Sequence, residues 1–86
     1  MGMEKVETAI NLLRDILNDR GVPRNVKSSI EESIEMLQNE KETEKVRISA
    51  AISILDEASN DPNISLYART KIWDVVSKLE ELNRGD

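Results

Sequence analysis

Asn18-Asp19-Arg20-Gly21-Val22 and, 42 positions later, Asn60-Asp61-Pro62-Asn63-Ile64 are the stretches whose reading decides the fold. Both open with an Asn-Asp pair, whose short polar side chains bond nearby backbone and favour turns. Gly21 and Pro62 are breakers that a helix interior tolerates poorly. Outward from these turns the spacing is helical. From about Met3 to Asn18, Val6, Ala9, Ile10, Leu13, Ile16 and Leu17 fall at steps of three and four, so they share one face of a helix. Val22-Pro23 opens a second helix, with Pro23 suited to its first position, and Val26, Ile30, Ile34 and Leu37 form a narrow stripe running to about Asn39. A third runs from about Thr43 to Ser59, with Val46, Ala50, Ala51, Ile54, Leu55 and Ala58 as its main stripe and Ile48 and Ile52 beside it. A fourth, about Ser65 to Asn83, carries Ala68, Ile72, Val75, Val76, Leu79 and Leu82. The weakest boundary is Asn39-Glu40-Lys41-Glu42-Thr43, which holds neither Gly nor Pro; Asn39 with Glu42, or Thr43 alone, is a candidate cap there.

The 42-residue shift extends well beyond the turns. Of 13 apolar positions between residues 6 and 37, 11 land on apolar partners, although only half of the facing window is apolar. Each half therefore reads as a helical hairpin, one over residues 3–40 and one over 43–83. A lone hairpin cannot bury its apolar stripes, whereas two packed together can. The period also suits helical solenoids, but such stacks need about three repeats. The expected fold is all-α: an up-and-down four-helix bundle, with residues 1–86 forming one domain.

Composition excludes several kinds of chemistry. The 86 residues include no His and no Cys, which removes zinc-finger ligand sets, Cys or His nucleophiles, a His general base and disulfides. No apolar run reaches the roughly 20 residues of a membrane span, and no signal peptide is visible. The expectation is a cytoplasmic protein without membrane contact. A net charge of −5, spread over both halves, disfavours nucleic acid as the main partner, because phosphate binding rests on clustered Lys and Arg. Arg20, Arg24, Lys27 and Arg69 are the residues a nucleic-acid- or ribosome-associated protein of this sequence would use. Glu31, Glu32 and Glu35 cluster, as do Glu40, Glu42 and Glu44. Carboxylate pairs serve acid–base chemistry or hold hard cations, but helical di-metal sites also use His, and a solvated surface explains the cluster better. No catalytic, cofactor or metal site is expected, and the chain is read as a non-enzyme. Asp74 and Lys78 form a helical i,i+4 pair of the kind that contributes only ~0.3–0.5 kcal/mol.

The fourth helix carries more apolar side chains than one stripe requires. Leu66 and Trp73 lie about 100–120° around the wheel from Ile72, next to Thr70 and Ser77. Their counterparts in the first half are Arg24 and Glu31, and Val46, Ala50 and Tyr67 likewise replace Glu4, Thr8 and Asn25. Two readings compete. Either the second hairpin is more deeply buried and Trp73 caps the core, or Leu66, Thr70, Trp73 and Ser77 form a patch for a protein partner or for self-association into a homodimer.

The run Asn60-Asp61-Pro62-Asn63-Ile64-Ser65, with Ala68-Arg69-Thr70-Lys71-Ile72-Trp73 and the earlier Asn18 to Asn25, resembles a small archaeal family catalogued as uncharacterised protein family 0147. The resemblance covers nearly the whole chain. It implies a compact up-and-down four-helix bundle, similar in outline to bromodomain-like bundles, and a cytoplasmic archaeal protein. It implies no activity and carries over no catalytic or ligand residues, and no acetyl-lysine pocket follows from shared topology. Within it, Asp19 and Asp61 are expected to fix equivalent corners, and Arg69 to pair with an acidic neighbour.

Overall fold

A computed structural model describes residues 2–84, with side-chain environments from Glu4 onward. It contains helices α1 (Gly2–Leu17), α2 (Arg24–Leu37), α3 (Glu44–Ser59) and α4 (Leu66–Asn83). Each helix packs on its neighbours in the order α1–α2–α3–α4 and back to α1, with α2 and α3 in the most intimate contact. The arrangement is an up-and-down bundle closed into a ring. At one end, Ser65 N–H donates to Gly21 O at 3.2 Å and joins two connections. Near the other, Asn83 of α4 donates its amide to Ser49 Oγ of α3 at 2.9 Å.

Burial explains why these segments are helices. Val6, Ala9, Ile10, Leu13 and Ile16 of α1 are buried, as are Val26, Ile30, Ile34 and Leu37 of α2. On the other side of the seam lie Ile48, Ala51, Leu55 and Ala58 of α3 and Ala68, Ile72, Val75, Val76 and Leu79 of α4. Val22 and Ile64 plug the end where the two connections meet. The 42-residue shift holds in three dimensions: α1 and α3 end at matching residues, and α2 and α4 begin at matching residues. Each buried residue of the first hairpin falls on a buried residue of the second, except that Ile10 meets the partly buried Ile52.

Three details depart from the sequence reading. Pro23 is not the first residue of α2 but the position before it, extended at φ −62° and ψ 156°, and its carbonyl accepts from Lys27 N–H. In α3 the inward stripe is Ile48, Ala51, Leu55 and Ala58, while Val46 is 44% exposed and Ala50 and Ile54 are only partly covered. Residues two apart on a helix point about 200° apart, so Val46 and Ile48 cannot both face the core. The third concerns the connection between α2 and α3, which is a turn of the same kind as the other two. In each, an Asx carboxyl or amide oxygen accepts from the N–H two residues on: Asp19 from Gly21 at 2.7 Å, Asn39 from Lys41 at 3.1 Å and Asp61 from Asn63 at 2.8 Å. The carbonyl of the same Asx residue accepts from the N–H three residues on, at Val22, Glu42 and Ile64 respectively. Thr43 then caps α3 by accepting from Val46 N–H, as Ser65 caps α4 by accepting from Ala68 N–H.

Two buried polar side chains went unforeseen; one is Ser59 at the end of α3, whose hydroxyl donates to Asp56 O at 2.8 Å. Ser33 is fully buried in α2, where its repeat partner in α4 is Val75. Its hydroxyl donates to Ile30 O in its own helix at 2.7 Å, which leaves no unpaired donor in the core.

Ile30 and Ile72 are both fully buried at matching positions of the seam. Ile30→Asp and Ile72→Asp each place an unpaired carboxylate there, at a cost of several kcal/mol against a total stability of ~4–13 kcal/mol for a chain of this size. Circular dichroism should find both variants without a cooperative melt; a near-wild-type melting temperature for either would show that the seam is wrongly assigned.

Candidate functional site

The outer face of α4 is set by the joined turns beneath it. Gly21 passes so close to Ser65 that an added Cβ would lie 2.7 Å from Ser65 Oγ. That oxygen is the one capping α4, so a side chain at position 21 would push the cap aside. Asn25 of α2 donates its side-chain amide to Asp61, tying the start of α2 to the turn between α3 and α4. Arg69 reaches back from α4, with Nε donating to Ser59 O at 2.9 Å and a terminal nitrogen donating to Asp61 O at 3.0 Å. It therefore closes the carbonyl end of α3 and the turn through backbone oxygens, not through the acidic side-chain partner expected from sequence. Its charge still acts on Asp61. The Asn25 amide first, then Asn63 N–H and the Arg69 charge, hold the Asp61 carboxyl below its ordinary value, with slight burial opposing them.

On this base stands a stripe of exposed side chains, Leu66, Thr70, Trp73 and Ser77. Leu66 is 71% exposed and Trp73 is 51% exposed, so Trp73 does not cap the core. The Thr70 hydroxyl donates to Leu66 O at 2.9 Å and is satisfied within the helix, which makes the stripe less polar than its composition. Tyr67, 64% exposed, widens it on one flank, with Lys71 Nζ 4.4 Å from its ring centroid. Leu66, Tyr67, Thr70, Lys71 and Asp74 line a shallow surface groove. Asp74 and Lys78 form the expected surface ion pair at 3.1 Å. Val46 lies outside this patch, because it sits on α3 at the opposite end from Leu66.

The repeat makes the stripe informative. Its four positions correspond to Arg24, Ser28, Glu31 and Glu35 of α2, which are also exposed. The buried positions correspond almost throughout, so the core alone does not account for the difference between these two outer faces. One nevertheless presents charges and the other Leu and Trp.

The other candidates are dispersed. Glu31, Glu32 and Glu35 are exposed on α2, and among the described residues no group of three or more acidic side chains gathers as ligands for a metal ion. Of the basic set, Arg20 and Arg24 are exposed and Lys27 partly so, whereas Arg69 is engaged with two carbonyls. A cleft of about 200 Å³ lies at the end of the bundle away from the joined turns. It is floored by Val6, Ile10, Leu37 and Ile48 and rimmed by Glu7, Glu44 and Arg47. There the turn carries exposed Glu42 where the other two carry the buried plugs Val22 and Ile64.

Comparison with known proteins gives concordant matches. The model of a family described as Uncharacterised protein family (UPF0147) matches residues 2–82. A UPF0147 protein of Methanothermobacter thermautotrophicus is 48% identical over 82 residues, covering 95% of this chain and 80% of its own. One from Pyrococcus furiosus is 42% identical over 80 residues, covering 92% and 86%. Among solved structures, a UPF0147 protein from Thermoplasma acidophilum superposes with a TM-score of 0.86 at 34% identity, over 93% of this chain and 94% of its own. A crystal structure of a protein of unknown function gives the same TM-score at 37% identity, over 91% and 89%.

Two outcomes follow from the site geometry. Because the Asp61 carboxyl is depressed when folded, its contribution to stability is full above its ordinary value of 3.8 and is lost as pH falls through the lower folded value. Asp61→Asn should therefore lower the melting temperature at pH 7 and make progressively less difference as pH falls below about 4, which flattens the acid limb; an unchanged acid limb would remove Asp61 from that role. Changing Glu31, Glu32 and Glu35 together to Gln should leave helicity and melting intact, and stabilisation by a divalent cation in the wild type alone would contradict the surface reading.

Proposed function

The chain belongs to the uncharacterised protein family UPF0147, and on that premise we propose that it is a non-catalytic helical module of the cytoplasm that docks a protein on the outer face of α4. The observation that carries this is the divergence of the two hairpins at solvent. Leu66 and Trp73 are exposed where Arg24 and Glu31 are exposed in the twin helix, although the buried residues of the two hairpins correspond. Holding a large apolar ring half in water lowers solubility and contributes little to the fold, whereas Trp in a desolvated contact often supplies ~2 kcal/mol or more of binding energy. The stripe is also borne on a rigid element, since α4 is capped by Ser65 and anchored by Arg69. A cysteine-free chain suits a reducing compartment.

Two other readings have less support. Phosphate binding would need a basic face, but the net charge is −5 and Arg69 is committed to backbone oxygens. Carboxylate chemistry would need convergent acids in a sheltered pocket, and Glu31, Glu32 and Glu35 stand on an open helix face.

The test uses the full chain as bait in archaeal extract at low and moderate salt, beside Leu66→Ser/Trp73→Ala. Wild-type chain should retain partners at both salt concentrations, and the double variant should lose them while keeping its helicity and melting temperature. Identical retention by the folded double variant would refute docking on this face, as would retention that disappears at moderate salt.

A further inference from the structure

We propose that the occupant of the α4 face is a second copy of this chain, bound across a two-fold axis with the two α4 helices antiparallel; this rests on the reading of that face as a docking surface. The first argument is the spacing. Leu66, Thr70, Trp73 and Ser77 are separated by four, three and four residues, so the stripe reads the same from either end. Two such helices, run antiparallel with the axis between residues 71 and 72, bring Leu66 opposite the partner's Ser77 and Trp73 opposite the partner's Thr70. Each large side chain meets a small one, which lets both helices approach to the usual 8–10 Å between axes. By symmetry each contact occurs twice, as an isologous dimer requires.

The second argument is charge. The same register sets Tyr67 within about 3 Å, along the helix axis, of the partner's Lys78, and places Lys71 between the partner's Lys71, about 1.5 Å away along the axis, and the partner's Asp74, about 3 Å away. The partner's Asp74 offsets the approach of the two Lys71 side chains, and the Tyr67 ring gains a second cation on its flank. Glu80 and Glu81, near the C-terminus of α4, fall beside the N-terminus of the partner's α4, where backbone N–H groups favour negative charge. Parallel pairing reverses all of this. It would stack Trp73 on the partner's Trp73, Asp74 on the partner's Asp74 and like helix ends together. Pairing α4 with α2 of another copy would lay Leu66 and Trp73 among Arg24, Glu31 and Glu35, so the contact closes as a dimer and does not propagate.

The absence of native cysteine permits a direct test of register. Leu66→Cys chain and Ser77→Cys chain are oxidised separately and as a mixture, while wild type and Trp73→Ala are sedimented over a wide concentration range. In the proposed dimer, positions 66 and 77 of opposite chains are adjacent, whereas each position lies about 16 Å from its own copy, too far for a disulfide. The mixture should link predominantly as Leu66→Cys to Ser77→Cys, and either variant alone should link at least tenfold more slowly. Wild type should move toward twice 9.7 kDa with rising concentration, and Trp73→Ala should need at least tenfold more protein to do so. Equal linking in the separate samples would overturn the antiparallel register. Sedimentation of wild type as a single chain throughout would overturn self-association. Docking would survive that result if the extract experiment still found partners lost on Leu66→Ser/Trp73→Ala, and would fall with it if not.

Discussion

Neither hairpin of this protein can hide its apolar stripes alone, and that constraint organises everything else. Leu13 and Ile30 on one side and Leu55 and Ile72 on the other are almost completely removed from water only because the hairpins face each other. Burial of each such side chain contributes roughly 1.5–3 kcal/mol, against backbone ordering that costs about 1–2 kcal/mol per residue. A chain of 86 residues has little surplus, so few positions on the seam can be given to anything but packing. The outer faces carry no such obligation. What differs there between two otherwise equivalent hairpins is the informative part of the molecule.

The seam was legible because helical spacing marks the stripes, and the 42-residue shift, supported separately by the matching Asn18-Asp19 and Asn60-Asp61 turns, pairs them. Where they conflicted, the shift was the better guide. Val6 corresponds to Ile48, which would have placed Ile48 inside and Val46 outside, but α3 is apolar on so many sides that its own spacing is ambiguous. The middle turn was harder to read because it lacks Gly, Pro and the buried plug. Its signal was the Asx residue at the second position, Asn39 beside Asp19 and Asp61. Arg69 was invisible as a clamp on carbonyls, since backbone acceptors leave no mark in a sequence. Ser33 likewise gave no sign that its hydroxyl would be satisfied by its own helix.

The site was legible as a surplus and not as a structure. Sequence established that Leu66 and Trp73 exceed what one core stripe needs, and left open whether they cap the core or face outward. Deciding between these required knowing that α4 packs against α1 and α3 on other sides, which leaves Trp73 half in solvent. The joined turns then give the face its rigidity. Gly21 allows Ser65 to come close, Ser65 caps α4, and Arg69 ties the helix to the end of α3. Fold and proposed function therefore meet in α4, whose inner side completes the seam and whose outer side is free for contact.

Shared burial should make the two hairpins one cooperative unit, and native-state hydrogen exchange in rising denaturant tests this directly. Amides of Leu13 and Ile30 in the first hairpin and of Leu55 and Ile72 in the second should converge on a single opening free energy equal to that of global unfolding. If either hairpin's amides opened together at a distinctly lower free energy while the other stayed protected, a common seam would not be what holds this fold together.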